Sequence, residues 1–169
     1  ADVNTNGFDL EMTYAFPETN MGSFGWDLGL THMLEYEIPI NGKTVDVVGL
    51  FNHDNFARSL PETKANSTLR WEKGVQKASI SARYISSYET TRAAPPAGFD
   101  QNIDSHLTWD LQYNYVLELD AANLGITLGV LNATDEEPPQ VWDAANFSYD
   151  SRQHDARGRM AYLNLKVGF

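Results

Sequence analysis

The chain has 169 residues, with 23 acidic against 12 basic side chains, a formal net charge of −11, no cysteine and 12% aromatic content. That charge argues against a nucleic-acid partner, which needs clustered Lys and Arg, and the lack of cysteine removes disulfides and thiolate metal sites. No stretch approaches the roughly 18–20 unbroken apolar residues of a membrane-spanning helix.

Taken in chain order, apolar and polar residues alternate in long runs. Phe8, Leu10, Met12, Tyr14 and Phe16 alternate with Asp9, Glu11, Thr13 and Ala15. Phe24, Trp26, Leu28, Leu30, Leu34, Tyr36, Ile38 and Ile40 follow, opposed by Gly25, Asp27, Gly29, Thr31, Glu35 and Glu37. A shorter run sets Ser67, Leu69 and Trp71 against Asn66, Thr68, Arg70 and Glu72. Next, Ala78, Ile80, Ala82, Tyr84 and Tyr88 oppose Lys77, Ser79, Ser81, Arg83, Ser87 and Glu89. The run Ile103 to Leu119 is the clearest, with Ser105 and Val116 its two lapses. Leu124 to Val130 and Ala161 to Phe169 close the series. Period two of this kind predicts seven β-strands, each with one apolar and one polar face. Several are far longer than the usual five or six residues of soluble strands.

The connections alternate too. Tight turns fall at 17–22, 72–75 and 120–123, and long polar segments at 41–64, 91–102 and 133–157. Short turns at one end and long loops at the other is the asymmetry of outer-membrane barrels, with the short turns periplasmic. The expected fold is all-β, an antiparallel transmembrane β-barrel segment of about seven strands, with the C-terminus periplasmic. The apolar rows would meet lipid, and Asp9, Glu11, Asp27, Glu35, Arg83, Asp104, Asp110, Glu118 and Lys166 would line a wet or protein-filled interior. Phe16, Trp26, Trp71 and Phe169 would form one interfacial girdle, and Tyr36, Tyr84 and Tyr88 would approach the other. An odd strand count would leave two open edges in lipid, where each unpaired backbone group costs several kcal/mol. The chain is therefore expected to need further strands, from upstream of residue 1 or from a partner. The start, Ala1-Asp2-Val3-Asn4, lacks the basic and apolar regions of a signal peptide, so a removed signal or an internal cut is expected.

Near the C-terminus the motifs become more specific. Leu128-Gly129-Val130-Leu131-Asn132-Ala133-Thr134-Asp135-Glu136-Glu137-Pro138-Pro139 carries a "GV-N-DE-PP" pattern, and Tyr149-Asp150 to His154 and Gly158-Arg159 a "YD…H…GR" run into the last strand. Arg83-Tyr84-Ile85-Ser86-Ser87-Tyr88 shows "RY-S-Y", and Phe169 is a terminal aromatic. In order and spacing these motifs resemble the C-terminal part of the barrel of TonB-dependent receptors, over essentially residues 1–169. The resemblance implies the final third of a 22-stranded barrel in the Gram-negative outer membrane, whose plug domain and N-terminal strands are absent from this chain. It implies import of a bulky, scarce ligand such as a siderophore or oligosaccharide, driven by TonB acting through the plug and its TonB box. The implied partners are the rest of the barrel, the plug, TonB, outer-membrane lipid and the barrel-assembly machinery, for which Phe169 resembles the recognition signal. A porin-type channel or a barrel enzyme assembled from more than one chain is the alternative. A soluble β-rich binding protein is a third.

No catalytic, metal or cofactor site is expected. There is no G-x-S-x-G nucleophile elbow and no Gly-rich phosphate loop. His106, Asp104 and Asp110 share a polar face, but strand residues two apart lie about 7 Å from each other, which is loose for one ion. Ligand-contact candidates lie in the last long loop: Trp142, Phe147 and Tyr149 as stacking or rim-pinning aromatics, and Arg152, His154 and Arg157 as polar groups. Asn66-Ser67-Thr68, Asn132-Ala133-Thr134 and Asn146-Phe147-Ser148 match glycosylation sequons, which carry little meaning in a bacterial outer-membrane protein.

Overall fold

The computed structural model describes residues 3–52, 57–92, 95, 97–98, 101–142 and 148–168. Among them there is no helix, and twelve strands account for the regular structure. Seven are long: β1 (Asn4–Ala15), β2 (Ser23–Ile40), β6 (Thr63–Lys73), β7 (Gln76–Ile85), β10 (His106–Leu119), β11 (Ala122–Leu131) and β12 (Met160–Gly168). They pair antiparallel in the order β1-β2-β6-β7-β10-β11-β12, so each long strand lies beside its successor in sequence. Within the described residues this sheet is open, with β1 and β12 at its edges.

The register aligns like with like across the whole sheet. One continuous row reads Tyr14, Trp26, Leu69, Ile80, Leu111, Val130, Ala161. The row beside it, on the opposite face, reads Thr13, Asp27, Thr68, Ser81, Asp110. Directly paired residues share a face, so the alternation within each strand becomes one apolar and one polar face of the sheet. Cross-strand bonds zip the polar face: Thr13 Oγ1 donates to Asp27 at 2.9 Å, Thr31 Oγ1 to Asp9 at 2.6 Å, and Arg70 pairs with Asp27 at 2.8 Å. Ser67 is one of the few polar residues on the apolar face, and the Trp26 indole N–H satisfies its hydroxyl at 2.8 Å.

Turns sort by length as the sequence predicts. Two-residue turns join β6 to β7 and β10 to β11, and 16–22 joins β1 to β2. The three long connections, 41–62, 86–105 and 132–159, all leave from the opposite end. They are not featureless. They carry β3 (Lys43–Asp46), which extends a hairpin on β2, and a small sheet of β4 (Leu50–Phe51), β5 (Ser59–Leu60), β8 (Tyr88–Thr90) and β9 (Asn102–Ile103) in the order β5-β4-β8-β9. Its β4–β8 pair is parallel.

Three expectations need correcting, all near this loop end. The run 103–119 is two strands: the chain breaks at Asp104 and Ser105, where the alternation lapsed, and Ile103 is buried in the small sheet. The run 77–89 likewise ends at Ile85, and Tyr88 is buried beneath the loops instead of continuing the apolar row. In β2 the register slips between Asn6–Glu35 and Gly7–Met33, a bulge at Leu34. A bulge inserts one residue and reverses the side-chain phase beyond it. Glu35 and Glu37 therefore align with Asn6 and Asn4 on the side of Phe8, while Tyr36 and Ile38 turn to the polar side, where Ile38 is fully buried.

The position of the core is the main feature of the fold. Fully buried apolar side chains among the described residues are Ile38, Val47, Tyr88, Ile103 and Val141, all at the loop end. The apolar face is open, with Phe8, Leu10, Leu111, Leu128, Leu163 and Leu165 each substantially exposed. The chain exposes 11035 Å², whereas a compact 18.9 kDa monomer exposes about 8,300 Å².

Candidate functional site

The candidate site is the cap that the long connections build over the polar face. The loop after β11 begins at Asn132, which adopts a left-handed backbone (φ 47°) and is 7% exposed. Its side chain accepts from the Glu136 N–H and donates to the Glu136 carbonyl, both at 2.9 Å, closing a ring that fixes the turn. The Asn132 N–H donates to Asp110 Oδ1 at 2.9 Å, tying that turn to β10. Asp110 also pairs with Arg83 of β7 at 3.1 Å, and Arg83 Nε donates to Thr108 at 3.4 Å. The sequon at Asn132 is thus consumed as a structural hub, and Asn66 lies within the β6 ladder.

The return of the loop is fastened to its start. Asp135 Oδ1 accepts the Arg159 N–H at 2.7 Å. Gly158 sits beside it with φ 67°, and a Cβ there would lie 3.1 Å from that same oxygen. The two C-terminal motifs, 26 residues apart from Asn132 to Gly158, therefore meet as the two stalks of one loop.

At the centre lies a hydrogen-bonded chain. The Tyr88 hydroxyl donates to Asp150 Oδ2 at 3.0 Å and lies 3.1 Å from His154 Nε2. His154 Nδ1 is 3.3 Å from His106 Nδ1, with the two rings edge to face. Because the tyrosine proton goes to the carboxylate, His154 Nε2 must carry the hydrogen it gives to the tyrosine oxygen. Its Nδ1 is then the acceptor, and His106 Nδ1–H the donor. Asp150 shapes the loop around this chain: its carbonyl accepts from Gln153 N and His154 N, and its Oδ1 from Arg152 N. Gln153 reaches across to Ser59 of β5 at 3.0 Å. Burial pushes the Tyr88 phenol up, and the facing Asp150 charge adds to it. Burial pushes His154 down to about 4, helped by His106 and Lys64 against the pull of Asp150.

The expected contact residues separate on this scaffold. His154 is 6% exposed and both its ring nitrogens are engaged. Arg157 is exposed but turned onto Asp155, bonding it through Nε at 3.0 and 2.8 Å, which holds the Asp155 carboxyl below its ordinary range. Arg152 is exposed, and Trp142 and Tyr149 are half-buried at the foot of the loop, where Gln140 and Tyr149 form a bridge. Phe147 and Phe169 lie outside the described residues. Asp104 does not join His106 and Asp110: it sits in the break before β10 and accepts from Asn102 at 2.8 Å. Among the described residues no cluster of His, Asp and Glu is arranged to hold a metal ion. Tyr88, His106 and Asp150 were not expected as partners of His154, because they lie 66, 48 and 4 residues away along the chain.

Beneath the cap a cavity of about 260 Å³ opens between loop and sheet, bordered by Arg83, His106, Asn132, Gln153, His154 and Arg157. The side-chain contacts of the last loop to β7 and β10 run to Arg83, His106 and Asp110 on the polar face. No family model, curated protein or solved structure matches this chain.

Proposed function

We propose that this chain is the C-terminal part of the transmembrane barrel of a TonB-dependent receptor, and that the whole protein imports a bulky, scarce ligand across the outer membrane. The observation that carries this reading is which face the loops cover. A water-borne domain of this size folds its connections over its apolar face, since that burial is its main source of stability. Here the loops lie on the polar face and leave the apolar face bare.

Three features support it. The strands beyond the bulge-bearing β2 run 9–14 residues, and the 9–11 residues of a tilted strand cross a bilayer. Polar-tipped aromatics gather near the short turns: Trp71 donates to the Met21 carbonyl at 2.7 Å and Tyr113 to Gln76 at 2.7 Å, as groups at a wet–apolar boundary do. The edges β1 and β12 offer unpaired ladders for the remaining strands of a closed barrel. A plug would fill the polar interior, and the cap would form part of the extracellular mouth.

The test uses the full-length protein in outer-membrane vesicles, with nitroxides at Leu128 and Leu163 and, separately, at Thr127 and Asn164. Oxygen should relax the first pair preferentially and a water-soluble nickel chelate the second. Equal access of the chelate to both pairs overturns the membrane reading. Site-specific cross-linking of the full-length protein to TonB is expected for an importer. An open, ion-conducting lumen with no TonB contact would leave a porin-type channel instead.

A further inference from the structure

We propose that the hydrogen-bonded chain His106–His154–Tyr88–Asp150 is a proton-sensitive clasp that holds the last loop closed over the polar face and releases it on acidification. The geometry gives the clasp one workable set of protons. Tyr88 donates to Asp150, His154 donates through Nε2 to Tyr88, and His106 donates through Nδ1 to His154. Two imidazole lone pairs in the chain are open to a further proton: His154 Nδ1, which faces His106 Nδ1–H at 3.3 Å, and His106 Nε2, a buried atom with no hydrogen-bond partner. Protonating the first sets two N–H groups against each other, and protonating the second places a cationic N–H at a buried site without an acceptor. The closed loop therefore resists a proton that an open loop would take freely.

The charges around the pair do not undo this. Lys64 of β6 and Arg83 of β7 face the two imidazoles and oppose a third positive charge, while Tyr88 of β8 is neutral. From the loop, Asp150 and Glu136 favour protonation, and Asp155 is already matched by Arg157. Burial outweighs them, and His154 is held down to about 4. The sign follows: closure is fully favoured above the ordinary histidine value of 6.5, weakens by roughly tenfold per pH unit below it, and is spent near pH 4. In the barrel reading the released loop would widen the extracellular mouth. That consequence rests on the proposed function; the clasp itself does not.

The test is hydrogen exchange of the full-length protein in detergent micelles, following segment 148–158 against β10 and β11 from pH 7.5 to 4.5, corrected for intrinsic exchange rates. Loop protection should fall about tenfold per unit below pH 6.5, while the two strands stay protected. In His154→Gln, which removes one of the two titrating imidazoles and leaves His106, the fall in loop protection should be clearly shallower than in the wild type. A flat wild-type profile, or the same slope in His154→Gln, overturns the clasp. Should His154→Gln leave the loop open at every pH, the wild-type imidazole spectrum decides: a neutral His154 at pH 5.5 is required, and titration near 6.5 rules the clasp out. None of these readouts involves transport or lipid, so the clasp and the importer can fail separately.

Discussion

The ring of Tyr162 on β12 lies directly over Gly129 on β11, its partner across the ladder. A Cβ on Gly129 would sit 2.1 Å from the ring, and the ring's hydroxyl reaches on to Gln112 of β10 at 2.9 Å. One aromatic thus ties the last three strands together on the polar face. Gly129→Ala should push this exposed ring aside and break its hydrogen bond to Gln112, costing about 0.5–1.5 kcal/mol. In a Tyr162→Ala background the same substitution should cost almost nothing, because the clash is gone. Unfolding in urea of the four members of this cycle measures the coupling.

A second prediction concerns Asp110, which accepts from both the Arg83 side chain and the Asn132 backbone. The ion pair is half-exposed on the arginine side, so its loss alone is worth about 0–1 kcal/mol. Asp110→Asn keeps an acceptor for the Asn132 N–H and should be mild. Asp110→Ala leaves that N–H unpaired at a half-buried site, which costs about 1–3 kcal/mol. The difference should show as faster proteolysis within 133–157 for Asp110→Ala than for Asp110→Asn.

Tyr88→Phe separates the clasp from general packing. The ring stays, but Asp150 Oδ2 and His154 Nε2 both lose their partner. Two buried groups left in this way should destabilise the closed loop by about 1–3 kcal/mol, with the long strands unaffected. Selective loss of exchange protection in 148–158 is the expected outcome. Uniform loss across the sheet would mean that Tyr88 supports the whole fold.

The long strands were legible because their signal is local: period two fixes both the strand and its faces, and the register only had to align them. The failures all sit where a long-range contact outweighs that pattern. Tyr88 fits the apolar series of β7 by spacing, yet its hydroxyl has partners 62 and 66 residues away and the chain turns at Ser86 to reach them. Ile38 also keeps the spacing, but the bulge at Leu34 reverses its side, and no composition rule marks that bulge. The sequence offers His154 only as a candidate ligand contact, while its engagement with His106 depends on how two loops fold together. Pairings of that kind leave no periodic trace in a sequence.

The decisive prediction compares two neighbours on the final strand. Leu163 and Asn164 are both exposed, Leu163 at 59%, and they point to opposite faces opposite Leu128 and Thr127. In water, Leu163→Arg at so open a site should change stability by no more than about 0.5 kcal/mol. In a bilayer, with Leu163 midway along β12, the same charge should cost about 2–4 kcal/mol. Asn164→Arg lies on the polar face of the sheet in either case and should be mild. Unfolding of the full-length variants from phospholipid vesicles gives the contrast directly. A large penalty at Leu163 and a small one at Asn164 means the apolar rows meet hydrocarbon. Equal, small penalties would mean that water or another protein surface covers that face, and the importer reading would fall with it.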